Sequence, residues 1–414
     1  MILERKRLTP LILCLLLTLF SLVLHTLPQV NTMINYVKEG EPKQAGLKIS
    51  NRFLSYAVNY HKTLPDFQKR QVTTTIIEWV ANVFNLRIAV SFVWVNFSFL
   101  FFCGLLVYYL GQLYALTHSQ SLWSIVFFYC SFSVLLAYFI PIATYDESIQ
   151  YFFILLSLIA LNKDKKILFV VAFTLATLTR ESSLILLPGI AFFLLNIDFK
   201  NAIQKKLKTV FKIIPVALPV VFYILYLLWF YKENPETYEQ TKVVMAAKSS
   251  VYLKNFGSVK NLSRTILFFI SVYLLPMFFL LFYKKQHFFS PFESKLIRAF
   301  VITFCINTPF ILAFGYAEEC RVFTLPLLFL FPVFGKIVRE LLPFSLSFFA
   351  YLIHPKRLGF LIGSAVMGWM FFDYAFGLAN LMEENFYREY NTISITIISL
   401  ITIWSYKKNV SNPK

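Results

Sequence analysis

Leu135–Ile142 is apolar, Thr144-Tyr145-Asp146-Glu147-Ser148 carries two adjacent acids, and Tyr151–Ala160 is apolar again. Carboxylates at the end of a membrane-length segment cost several kcal/mol when they face lipid, so this pair must face water, a partner or a substrate. Two later stretches repeat the arrangement. Thr179-Arg180-Glu181-Ser182-Ser183 and Tyr316-Ala317-Glu318-Glu319-Cys320-Arg321 also set charge between apolar runs. Three such turns on one side of a membrane would converge on a single polar site.

The composition supports that frame. Hydrophobic residues make up 58%, aromatic residues 19% and charged residues 14%, and the mean hydropathy is +0.65. No soluble globular domain has that balance. Apolar runs of about 15–22 residues fit helices across a ~30 Å hydrocarbon core, whereas a membrane barrel would alternate in segments of about 10. The expected fold is therefore an all-α membrane protein, a polytopic helical bundle forming one transmembrane domain over residues 1–414. The first apolar run, Leu8–Leu27, follows Glu4-Arg5-Lys6-Arg7 with no small-x-small cleavage site after it, which reads as an uncleaved helix.

A net charge of +18 would suit nucleic acid, but the cations sit in turns between apolar runs and are better explained by membrane orientation. Neither a metal-ligand spacing nor a disulfide framework appears among Cys14, Cys103, Cys130, Cys305 and Cys320. No internal repeat is visible.

About 12 spans can be placed: 8–28, 91–112, 121–142, 149–161, 166–180, 183–196, 213–231, 263–283, 296–315, 322–338, 358–380 and 391–406. With Arg5-Lys6-Arg7 cytoplasmic, both termini lie inside and the cytoplasmic segments hold more than half of the Lys and Arg. The short outer turns then carry only Arg180, Arg321 and Arg388. Segments 149–161 and 183–196 are too short to cross ~30 Å at about 1.5 Å per residue, so their outer ends should lie at the bottom of an outward cleft.

Two outer loops are long. Residues 29–90 contain two amphipathic stretches, Ile49–Tyr60 and Thr73–Leu86, the first with Phe53, Leu54, Ala57 and Val58 on one face, as expected of helices lying in the interface. Residues 232–262 are polar, with a turn at Asn234-Pro235. Residues 341–355 read as an interfacial helix on the cytoplasmic side.

Asp146 and Glu147 are the catalytic candidates, since a carboxylate can take a proton from an attacking hydroxyl or hold a divalent cation beside a phosphate. Asp146 also stands where a helix N-cap belongs. Arg180-Glu181 is either a bracing ion pair or a phosphate grip, and Glu318, Glu319 and Arg321 read the same way. A set rich in both signs suits a phosphorylated lipid headgroup and a polyol. His25 and His61 look interfacial, Glu78-Trp79 reads as an interfacial anchor, and Asp373 either lines the cleft or snorkels.

The three motifs, Tyr145-Asp146-Glu147, Leu178-Thr179-Arg180-Glu181-Ser182-Ser183 followed by Leu184–Pro188, and Ala317-Glu318-Glu319-Cys320-Arg321-Val322-Phe323 leading to Pro326, together with the architecture, resemble the polytopic GT-C glycosyltransferases. That resemblance implies sugar transfer from a polyprenyl-phosphate donor to a lipid or surface-glycan acceptor on the outer face of a bacterial inner membrane. It further implies a carboxylate base or metal ligand just after the first helix. The sequence departs there. Glu39, Glu41 and Asp66 lie farther along, and His25, Gln29 and Asn31 follow the helix, which leaves Asp146 to serve or the fold to be used without the reaction. The competing readings are a flippase for lipid-linked oligosaccharide, which would need gates on both faces, and an O-antigen-type polymerase or ligase.

Overall fold

The computed structural model describes residues 2–25, 51–135, 145–191, 206–248, 250–286, 289–317, 320–342, 345–379 and 385–411. Among these the chain is helical, without strands. A backbone inside lipid must satisfy its own polar groups, and helices do so within one segment. Five helical stretches among the described residues are long and apolar enough to cross a membrane: Ile88–Leu113, Ile214–Glu233, Val259–Lys284, Pro291–Phe314 and Pro355–Leu378. Several apolar helices of this kind mark a membrane-embedded protein.

In chain order, α1 is Ile2–Leu24, α2 Asn51–Thr63, α3 Pro65–Gln68, α4 Gln71–Val83 and α5 Ile88–Leu113. Next come α6 (His118–Cys130), α7 (Phe132–Leu135), α8 (Glu147–Asn162) and α9 (Lys166–Thr179). The helix α5 is the hub: α1, α2, α4, α6 and α8 all pack on it. Its buried positions Phe92, Asn96, Leu100, Cys103, Val107 and Leu110 recur at three and four residues, so a continuous stripe faces inward.

The two amphipathic stretches of the first loop form helices, but they do not lie free on a lipid surface. Leu54, Ala57 and Val58 of α2 and Thr73, Thr74, Ile77 and Ala81 of α4 are buried, and both helices dock on α5. Covering that hub removes more apolar area from water than lying in the interface would. Trp79 is exposed, whereas its neighbour Glu78 pairs with Lys62 across the two helices at 2.7 Å. His25 is buried with its ring edge toward Phe97.

Three expected spans differ in form. The segment starting at His118 breaks at Ser131, whose backbone is extended (φ −67°, ψ 138°), and resumes as α7; residues 136–144, including Thr144, lie outside the described part. The stretch after Arg180 is a 3₁₀ turn, Glu181–Leu186, running into Leu187–Gly189 (α10), where Pro188 denies the helix a donor. The region 322–338 likewise divides into a 3₁₀ segment, Cys320–Phe329, with Pro326 inside it, and a helix, Phe331–Leu341, that restarts with Pro332 in its first turn. The loop 232–262 is helical over Pro235–Lys248 and Val251–Phe256. A short helix, Leu346–Leu352, stands within 341–355.

Close helix approach relies on glycine at Gly335 of Phe331–Leu341, where an added Cβ would overlap Ser124 Oγ and the Gln120 carbonyl of α6. Gly359 of Pro355–Leu378 has no neighbouring atom within 4 Å of that position. Gly335→Ala is expected to lower thermal stability in detergent by about 1–3 kcal/mol through overpacking, while Gly359→Ala should be neutral or slightly stabilising; scanning fluorimetry of both variants separates the two.

Candidate functional site

The site begins with a hairpin. Helices α8 and α9 have 16 and 14 residues and are joined by a tight turn in which Asp164 adopts a left-handed backbone (φ 54°). Nearly equal lengths and a short turn return the end of α9 to the level where α8 begins. Arg180, extended at the end of α9 (φ −157°, ψ 122°), therefore meets Glu147, and its Nη1 donates to Glu147 Oε1. Both side chains are buried, at 8% and 1% exposure.

The 3₁₀ turn after Arg180 is fastened by hydroxyls. Ser183 Oγ donates to the carbonyls of Ala176 and Arg180 at 3.0 and 2.9 Å. Gln150 Nε2, one turn into α8, donates to Ser182 Oγ and Ser183 Oγ at 3.1 and 2.8 Å. Glu181 thereby points away from Arg180 and toward the first loop.

There it meets residues that the sequence reading passed over. Arg70, between α3 and α4, grips Glu181 with two parallel bonds, Nε to Oε2 at 2.8 Å and Nη2 to Oε1 at 2.6 Å. Lys69 Nζ lies 3.7 Å from the same carboxylate, and the Lys69 carbonyl accepts from Tyr226 OH at 2.8 Å. The third guanidinium nitrogen, Arg70 Nη1, is 4.0 Å from Asp146 Oδ2 and has no hydrogen-bond partner.

Asp146 is completely buried. It is the N-cap residue of α8, as the helix-cap alternative expects, but its side chain makes no capping bond to the helix. Instead His61 Nε2 of α2 stands 3.2 Å from Asp146 Oδ2. The imidazole is stacked on Phe67 (centroids 5.0 Å apart, 6° between planes) and packs on Tyr145 at 4.7 Å. Far from being interfacial, it is a fixed part of the cluster. Burial pushes the Asp146 carboxyl up, but His61, Arg70 and Arg180 together outweigh it and hold the group below the usual carboxylate range. At Glu181 burial is likewise overcome, here by Arg70 and Lys69, and the carboxyl titrates well below its ordinary value.

Above this cluster opens a cleft of ≈ 390 Å³ whose walls include His61, Lys62, Arg70, Gln71, Thr74, Glu78, Asn234 and Thr237. Its far wall is the helix pair Lys206–Glu233 and Pro235–Lys248, tied to α3 by Thr237 Oγ1 donating to Gln68 Oε1 at 2.7 Å.

Asp146, Glu147, Arg180 and Glu181 are thus brought together. Glu318 and Glu319 lie outside the described residues, and Arg321 is described as backbone at the start of Cys320–Phe329. That segment packs against both Glu181–Leu186 and α8. Asp373 pairs with Arg388 at 2.5 Å instead of lining the cleft. Among the described residues no three His, Cys, Asp or Glu side chains are placed to hold a metal ion; the carboxylates are met by cations of the protein. The chain matches no family model, no curated protein and no solved structure.

Because both carboxyls titrate lower in the folded protein than the roughly 3.9 (Asp) and 4.3 (Glu) of an unfolded chain, they contribute stability that is complete above about pH 5. It is lost as pH falls through the folded values. Glu181→Gln is expected to flatten the acid side of the stability-versus-pH curve, read as melting temperature in detergent. Arg70→Ala, which leaves Glu181 with Lys69 alone and Asp146 with His61, should lower the melting temperature at neutral pH in the same assay, by less than the roughly 3–5 kcal/mol that a buried ion left with no partner costs.

Proposed function

We propose that this chain is an integral-membrane glycosyltransferase of GT-C type, moving a sugar from a polyprenyl-phosphate donor to a lipid or surface-glycan acceptor at the outer face of a bacterial cytoplasmic membrane. In this reading the bundle has about 12 spans, with both termini cytoplasmic. One observation carries it: carboxylates and guanidiniums from the first loop, the start of α8 and the end of α9 gather beneath one polar cleft in a protein otherwise built of apolar helices.

The chemistry of glycosyl transfer asks for that mixture. The acceptor hydroxyl must lose a proton as its oxygen attacks the anomeric carbon, and the phosphate oxygen must leave with the bonding pair. A guanidinium stabilises the leaving phosphate through its fork of donors. Arg180 is occupied by Glu147, so Arg70, one of the residues lining the cleft, is assigned with Arg321 to holding the phosphate. Arg180 and Glu147 then hold the floor of the site, and Glu181, with Glu318 and Glu319 from the third turn, orients the cations.

Membranes containing the protein, supplied with a radiolabelled polyprenyl-phosphate hexose, are expected to pass label to a polyol acceptor. Asp146→Asn, Arg180→Ala and Arg321→Ala should each reduce that transfer by about 100-fold or more, the usual worth of a positioned acid-base or charge-stabilising group. Unchanged transfer in all three variants would remove the site assignment.

A further inference from the structure

Asp146, the carboxylate that sequence alone marks as the base, has no exposed surface and does not line the cleft. Next to it is His61, itself buried at 1% exposure, whose Nε2 lies 3.2 Å from Asp146 Oδ2 and which, unlike Asp146, is among the residues lining the cleft. A base needs only one atom within hydrogen-bond reach of the proton it takes. A buried carboxylate behind an imidazole instead fixes the tautomer and orientation of that ring.

We infer that His61 is the catalytic base of this site, with Asp146 as the positioning residue behind it and the cleft lined by Lys62, Arg70, Gln71, Glu78 and Asn234 as the seat of a polyol acceptor. The inference rests on the glycosyl-transfer reading. With Nε2 turned to Asp146, Nδ1 is the nitrogen left for a hydroxyl in the cleft. The proton of that hydroxyl passes to Nδ1, its oxygen forms the bond to the anomeric carbon, and the bond from that carbon to the phosphate oxygen breaks, its electron pair leaving with the phosphate lipid. The resulting imidazolium faces Asp146 at contact distance, so the charge created by proton transfer is neutralised where it forms.

The rest of the surroundings suits that role. Phe67 is stacked on the ring and Tyr145 abuts it, so the imidazole cannot swing away. The charged groups that bear on it are Asp146 directly, Arg70 and Arg180 through Asp146, and Lys62 and Glu78 along the cleft, where those two neutralise each other at 2.7 Å. Half of the residues lining the cleft carry amides or hydroxyls, including Gln71, Asn234 and Thr237, which suits the alternating donors and acceptors of a polyol.

The test uses full-length protein in phosphatidylethanolamine and phosphatidylglycerol proteoliposomes, with radiolabelled polyprenyl-phosphate hexose as donor and a soluble alkyl glycoside as acceptor. His61→Gln is expected to lower kcat by about 100-fold with little change in the acceptor's KM, and to abolish the acid limb of the pH–kcat profile. In Asp146→Asn that limb should persist but shift. His61→Ala should regain activity in added imidazole, a rescue that a merely structural ring would not give. Wild-type protein that transfers no sugar would overturn the glycosyl-transfer reading itself. Active wild type with an unaltered kcat and pH profile in His61→Gln would overturn only the assignment of the base. Failure of both His61 variants to fold would show the ring to be structural and overturn it equally.

Discussion

The contact between Arg180 and Glu147 sets the terms for everything around it. Two ions taken out of water cost more than a surface pair returns, and the loss is made good only when geometry is close and the remaining polar atoms find partners. Here the geometry comes from chain lengths: two short helices and a three-residue turn put the end of one beside the start of the other. Gln150, Ser182 and Ser183 then fix the 3₁₀ turn that follows. Once the turn is held, Glu181 has one direction to face.

From there charges alternate. Glu181 calls for Arg70 and Lys69, Arg70 extends toward Asp146, and Asp146 is met by His61. Each member is stabilised by the next, so the first loop is attached to the hairpin by its polar residues as well as by the apolar faces of α2 and α4 on α5. The docking of that loop is therefore part of building the site. Had α2 and α4 lain apart in the interface, Lys69, Arg70 and His61 would have been surface groups without consequence.

What the sequence made legible follows from what is local. Apolar runs and proline positions are properties of neighbouring residues, and they placed the long helices at Ile88–Leu113, Val259–Gln286, Pro291–Phe314 and Pro355–Leu378 within a few residues of expectation. Asp146, Glu147, Arg180 and Glu181 stood out because ions beside apolar runs need an explanation. Lys69 and Arg70 did not, because a basic pair in a long polar loop is ordinary. The signal was present in the doublet immediately before the amphipathic stretch of α4, but only the tertiary partner Glu181 gives it meaning. His61 looked like any interfacial histidine, since its burial depends on Phe67 and Tyr145, the latter 84 positions further on. The breaks at Ser131 and within Cys320–Phe329 were missed because hydropathy does not register hydrogen-bond pattern.

The cluster formed by Lys69, Arg70 and Arg180 against Asp146, Glu147 and Glu181 has an electrical consequence. A lone ion inside a polarised bilayer feels a force from the voltage, about 2.3 kcal/mol per elementary charge for a full crossing at 100 mV. Three cations interleaved with three anions present almost no monopole to that field. An energised membrane thus exerts little net pull on the assembly, and its geometry should be the same in resting and de-energised cells.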